Sequence, residues 1–190
     1  MESTARMDGS PGRVVSRKTI HKTRKFSYES ITVERGSTTY EVPGIRHPGA
    51  VVLLPIMDTQ DGRVVVMIRN YRPLLGEHGK VIWELPAGTI ERGEPVEVTA
   101  HRELVEETGY SAQHLSPICR FYTTPGMTDE VMWAYAAYGL THVGARPEPD
   151  EWMTVELVPV GRVLAMIESG DLADGKSIVC LLAAARRGML

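Results

Sequence analysis

GTIERGEPVEVTAHRELVEETGY, residues 88–110, decides how the rest of the chain is read. Pro95 suits the first position of a helix, where its missing N–H had no partner anyway. Gly109 suits the left-handed residue that ends one. A helix over Pro95–Thr108 is therefore expected. With successive residues turned by about 100°, Glu107 falls roughly 40° from Glu103 on one side and Glu106 roughly 60° on the other. Val98, Leu104 and Val105 fall on the opposite, core-facing side. Arg102 stands one turn before Glu106 and can pair with it.

Three like charges gathered on one helix face repel, so they do not serve helix stability. A divalent cation would remove the conflict. Mg²⁺ takes hard oxygen ligands, uses few protein carboxylates and leaves positions for phosphate oxygens. The face carries neither Cys nor His, which argues against zinc. Taken alone, Glu-Leu-Val-Glu-Glu reads better as a solvated acidic face with the usual Glu–Arg pairing.

The chain has 190 residues, 43% of them hydrophobic and 24% charged, with a net charge of −3. That fits one domain, or one domain with a small appendage, and gives no general reason to expect nucleic acid or membrane as partner. Cys119 and Cys180 are far apart and have no Cys or His companions, which fits a reduced, cytoplasmic setting. No apolar run approaches the ~20 residues of a membrane span. Residues 1–12 read as a disordered leader, and the basic stretch over residues 13–25 as a solvated tail.

Outward from the helix, the chain reads mainly as strands. Residues 24–34 alternate apolar and polar with a break near Ser30, and Thr38–Val42 makes a hairpin with them. Ala50–Met57 is a continuous apolar run, expected to be buried on both faces. Asp61-Gly62 turns it into Val64–Arg69. Val81–Leu85, 118–124, 131–138 and Thr154–Val160 are further strands. Arg162–Glu168 and Ser177–Arg187 are helical. Strands on both sides of one helix, with helices closing the chain, predict a mixed sheet packed between helices.

Gly88, Glu94 six residues on, and then Arg102-Glu103-Leu104-Val105-Glu106-Glu107-Thr108-Gly109-Tyr110 resemble the Nudix hydrolase signature; only Tyr110 stands where an aliphatic residue is commoner. The resemblance implies an α/β fold, an α/β/α sandwich with a mixed central sheet, over residues 48–190. Residues 13–47 would form a small N-terminal antiparallel β subdomain that takes part in dimerisation. It also implies hydrolysis of a nucleoside diphosphate linked to another group, with Mg²⁺ or Mn²⁺, two or more ions. Glu103 and Glu107 would be the main metal ligands and Glu106 a ligand or its support. The Ala87 carbonyl would be an extra ligand. Arg102 would orient the carboxylates, and Gly88 would let the backbone approach the metal.

Two flanking stretches resemble the ADP-ribose pyrophosphatase group: Trp83-Glu84-Leu85-Pro86-Ala87-Gly88, and Phe121-Tyr122-Thr123-Thr124-Pro125-Gly126-Met127-Thr128-Asp129-Glu130. Asn70-Tyr71-Arg72-Pro73 also matches that group's layout. The implied reaction is ADP-ribose to AMP and ribose 5-phosphate in a homodimer, with GDP-sugars, NADH or diadenosine polyphosphates as alternative substrates and a non-catalytic nucleotide-binding module as a third reading. On the substrate side, Phe26 and Tyr28 are candidates to stack on adenine or, equally, core residues of a small sheet. Arg72 is a candidate for the diphosphate, Glu130 for the terminal ribose, and Arg46 and Thr124 for further contacts. In relatives the general base comes from a loop glutamate. Here Glu151 fits best, with Glu148 as the alternative because Pro149 stands where another acid is common.

Overall fold

The computed structural model describes residues 11–145 and 152–190, and these form two compact units. One comprises residues up to His47 together with Thr124–Glu130, and the other comprises Pro48–Thr123 and Val131–Leu190.

The first unit is a three-stranded antiparallel sheet of β1 (Arg13–Lys22), β2 (Ser27–Arg35) and β3 (Thr38–Arg46), in that order. The basic stretch is thus a strand and not a tail. All ten residues of β1 are exposed, and it is held by backbone pairing and by charge, with Arg13 2.8 Å from Glu34 and Arg17 3.6 Å from Glu29. Bases of β1 stand beside acids of β2, and backbone pairing makes the run a strand while its side chains stay exposed. The irregularity expected near Ser30 lies instead on β1, where the register slips between Val14 and Ser16 and between Thr19 and His21. Strand β3 continues through Pro43-Gly44, longer than the expected Thr38–Val42. Residues 124–130 lie along its end: Ile45 donates to the Met127 carbonyl, and Asp129 donates to the Ile45 carbonyl.

The second unit is built on a seven-stranded mixed sheet. Strand β4 (Ala50–Thr59) turns through Asp61-Gly62 into β5 (Gly62–Arg72). β6 (Lys80–Glu84) and β7 (Ala87–Thr89) follow, then helix α1 (Val96–Thr108), β8 (Tyr110–Ser111), β9 (His114–Tyr122), β10 (Val131–Tyr138) and β11 (Thr141–His142). β12 (Met153–Pro159) leads into helices α2 (Val160–Ser169) and α3 (Gly175–Arg186). The sheet order is β12-β5-β4-β10-β9, with β6 added on β5 and β7 on β4; β4 and β10 run parallel and the remaining pairs antiparallel.

β4 is buried on both faces because its alternate side chains enter different cores. Val52 and Leu54 join Val65 and Met67 against α2 and α3 residues such as Val163 and Leu181. Val51 and Leu53 join Tyr135 against Ala100 and Leu104 of α1. The sheet is therefore sandwiched, and α1 is fixed by its apolar side against the parallel β4–β10 pair. Pro95 caps this helix in an extended conformation (φ −64°, ψ 144°) and is not its first turn, so the helix starts one residue later than expected. Val98, expected inside, is 51% exposed; Thr99, Ala100 and Leu104 take the core side.

Candidate active site

The segment Glu84–Gly88 crosses from β6 to β7, and each of its residues has an identifiable restraint. The Glu84 carboxylate is buried between Arg72 and Lys176. Leu85 donates its N–H to Ser177 Oγ at 2.7 Å. The Pro86 carbonyl accepts from Leu53 at 2.9 Å. Ala87 donates to Glu107 Oε2 at 2.8 Å. At Gly88 the backbone lies so near the Glu103 carboxylate that a β-carbon there would fall 2.1 Å from both its oxygens. A loop with so many fixed points holds its backbone groups in place against α1.

Two carboxylates of α1, Glu103 and Glu106, and that of Glu94 just before it are organised by one cation. Arg102 gives Nε to Glu94 Oε1 at 3.0 Å and Nη2 to Glu94 Oε2 at 2.9 Å. Its Nη1 reaches Glu103 at 2.7 Å and Glu106 at 2.9 Å, and Nη2 also meets the Thr89 carbonyl at 3.3 Å. All five N–H donors of the guanidinium are thus engaged. The pairing with Glu106 is the one its spacing suggested; those with Glu94 and Glu103 are additional. These hydrogen bonds raise the Arg102 pKa, the bond to Glu94 contributing most. In turn they hold Glu94 down to about 2 against the opposing effect of its partial burial, with help from Thr99.

Glu107 departs from the expected solvent-facing arc. It is 5% exposed, at the boundary between helix and sheet, where the Ala87 N–H compensates for its burial. Among the described residues no three His, Cys, Asp or Glu side chains converge into a preassembled cation site. Glu103 and Glu106 are turned onto Arg102. The donor set nevertheless fits a hard cation. It consists of carboxylate oxygens on adjacent helical turns, a cradle at Gly88 that a β-carbon would fill, and no thiolate or imidazole among them.

Arg72 lies close enough to Glu107 for its positive charge to be stabilised by it, though its direct partner is Glu84. Arg72 Nε and Nη2 each lie 2.6 Å from a Glu84 oxygen, and Lys176 Nζ lies 2.6 Å from Oε2. Burial on its own would raise the Glu84 pKa; the hydrogen bonds and charges of Arg72 and Lys176 reverse this and bring it below the ordinary carboxylate value. Glu84, Lys176 and Asp174 had no place among the sequence-derived candidates. The available signal was an acid and a lysine lodged in otherwise apolar strand and helix segments, WELP and GKSIVCLL.

Of the candidates from sequence, Arg72, Ala87, Gly88, Arg102, Glu103, Glu106 and Glu107 are brought together in the second unit. Phe26, Tyr28, Arg46, Thr124 and Glu130 belong to the first. There, Phe26 and Tyr28 are 40% and 43% exposed, so neither is a core residue of the small sheet. Arg46 pairs with Asp129 and Glu130 with His47, both at 3.3 Å. The Thr124 carbonyl accepts from Met127 and Thr128. Glu148 and Glu151 lie outside the described residues.

The NUDIX domain model matches residues 46–177, and the chain belongs to the Nudix family. It is 38% identical to an ADP-ribose pyrophosphatase of Bacillus subtilis over 135 residues, 70% of each chain. It is 32% identical to the methanol dehydrogenase activator of Bacillus methanolicus, over 90% of this chain and 93% of that protein. An ADP-ribose pyrophosphatase of Mycobacterium tuberculosis is also 32% identical, over 89% of this chain and 81% of that protein. The crystal structure of an ADP compounds hydrolase superposes with a TM-score of 0.77, over 95% of this chain and 98% of that one. At 20% identity, that likeness is one of fold. Nudix hydrolases generally use divalent metal ions.

Proposed function

We propose that the chain hydrolyses the diphosphate bond of ADP-ribose, giving AMP and ribose 5-phosphate, with Mg²⁺ or Mn²⁺, two or more ions. The observation that carries this reading is the junction of Ala87-Gly88 with Glu103 and Glu107, where a helix face of carboxylates meets a backbone with no side chain in the way. Glu103, Glu106, Glu107 and the Ala87 carbonyl would hold the ions, which when bound clamp phosphate oxygens and lower the pKa of a bound water. Arg102 orients Glu103 and Glu106. Arg72 binds the diphosphate as a planar fork. Glu151, or in its place Glu148, is the general base. The choice of ADP-ribose follows the two ADP-ribose pyrophosphatase relatives.

The exposed Phe26 and Tyr28 suit stacking on adenine, with Arg46, Thr124 and Glu130 as further substrate contacts. Residues 13–47 serve as a dimerisation subdomain, consistent with a strand β1 whose ten residues are all exposed. The free cysteines fit a cytoplasmic setting, and no helix of the described residues is long and apolar enough to cross a membrane.

Incubation with ADP-ribose and Mg²⁺ should release AMP, with GDP-mannose, NADH and diadenosine polyphosphates turned over more slowly. No AMP at micromolar enzyme would refute the reading. Light scattering giving the 21.0 kDa of one chain would refute the dimer.

A further inference from the structure

Glu84 is a fully buried carboxylate at 1% exposure, flanked by two cations, and it takes no part in the chemistry proposed above. Such a cluster is a poor device for stability, because apolar residues of similar volume often do as well. Its geometry suits another task. Glu84 takes the Nε and Nη2 edge of Arg72 with both oxygens at 2.6 Å, a bidentate contact that fixes the plane and rotation of the guanidinium. The Nη1 edge is the one that Glu84 does not engage, and the Arg72 side chain is 44% exposed. Arg72 also lies within the electrostatic reach of Glu107.

Glu84 is itself held from the other side. Lys176 Nζ donates to its Oε2 at 2.6 Å and to Asp174 Oδ2 at 2.9 Å. Asp174 caps α3 by accepting from the Ser177 N–H at 3.1 Å. Ser177 Oγ in turn accepts from Leu85, the residue after Glu84. The start of α3 thus grips both the side chain of Glu84 and the peptide that follows it.

We propose that Glu84 is a positioning residue that presents the free edge of Arg72 to a substrate phosphate, with Lys176 anchoring Glu84 to helix α3. This rests on the reading of Arg72 as the diphosphate contact. Removing the Glu84 charge frees the guanidinium to rotate, so substrate binding weakens although no atom touching substrate has changed.

The test is steady-state kinetics on ADP-ribose with Mg²⁺, together with melting temperatures, for Glu84→Gln, Glu84→Gln/Lys176→Met, Arg72→Met and Arg72→Met/Glu84→Gln. Glu84→Gln should raise KM about ten-fold with a smaller change in kcat, the size expected for weakening one hydrogen bond to a charged group. It should also lower the melting temperature, since it leaves two cations against a neutral amide. Glu84→Gln/Lys176→Met removes one charge of each sign. It should recover the melting temperature and keep the raised KM, which a purely structural role would not do. In the Arg72→Met background, Glu84→Gln should add nothing further to KM. A wild-type KM in both Glu84 variants that retain Arg72, or the same KM factor with and without Arg72, overturns the inference while leaving the functional reading intact. Failure of the unaltered chain to turn over ADP-ribose overturns both.

Discussion

A β-carbon built on Gly88 would lie 1.8 Å from the carboxyl carbon of Glu103. The obstacle is the far end of a flexible side chain, so Gly88→Ala can fold by pushing Glu103 aside. The displaced group is one of the proposed metal ligands. The expected result is a protein that melts within a few degrees of the unaltered one but loses about 100-fold in kcat/KM, since misplacing a reacting group by an ångström has that scale of effect. Equal activity would mean that the contact between Gly88 and Glu103 has no part in catalysis.

At the other end of the helix the glycine is required by the backbone. Gly109 sits at φ 73°, and a β-carbon there would meet the backbone nitrogen of Ala145 at 2.6 Å. Neither the dihedral nor the clash can be relieved by a rotamer change. Gly109→Ala should therefore cost about 1–3 kcal/mol from left-handed strain and the clash together, read from urea unfolding. A loss below a few tenths of a kcal/mol would show that the 141–145 segment yields easily.

The two glycines also show what sequence can and cannot disclose. Gly109 was legible because a helix end demands glycine, whereas a close backbone approach at Gly88 was legible only through its resemblance to the Nudix signature. The double burial of Ala50–Met57 was legible for the same kind of reason as Gly109, since an unbroken apolar run has no solvent face to offer. The Glu84–Lys176 contact was not. Those residues are 92 apart in sequence, and only the docking of the start of α3 at the end of β6 brings them to 2.6 Å. The burial of Glu107 was missed because a helical wheel places charges relative to the helix alone, and here a neighbouring loop closes over one of them. Val98 failed conversely: its position on the wheel was apolar-facing, but it is exposed, and Val96 and Thr99 take the packed side of the first turn.

The Glu94–Arg102 pair should make stability depend on acid. Glu94 has a folded pKa of about 2 against an ordinary value of 4.5, so folding favours its ionised form. A depressed carboxyl contributes its full stabilisation above the unfolded value and loses it as pH falls towards the folded one. The contribution should therefore be complete above about pH 5 and fade between 4.5 and 2. Urea midpoints for the unaltered chain and Glu94→Gln should differ at about pH 6 and converge near pH 2–3. A gap that stays constant with pH would mean that the substitution destabilises through packing and not through the lost charge.

Glu107 separates support of the fold from binding of metal. Its Oε2 accepts the Ala87 N–H at 2.8 Å, and the amide oxygen of a glutamine can accept the same bond. Glu107→Gln should therefore keep the loop and a near-normal melting temperature without Mg²⁺, while removing the charge a cation needs. The expected loss in kcat is about 100-fold or more, with the Mg²⁺ titration midpoint shifted upward, because charge stabilisation by a bound cation is worth several kcal/mol. Glu106→Gln should be milder, since the Glu106 side chain is 35% exposed against 13% for Glu103, and it meets Arg102 from the outer edge of the helix. Metal titrations of both variants, followed by AMP release, make the comparison. Unchanged hydrolysis in Glu107→Gln would remove this carboxylate from the metal site. Equal losses in the two variants would make Glu106 a ligand of the same rank, and the exposed edge of the helix would then be part of the cation site.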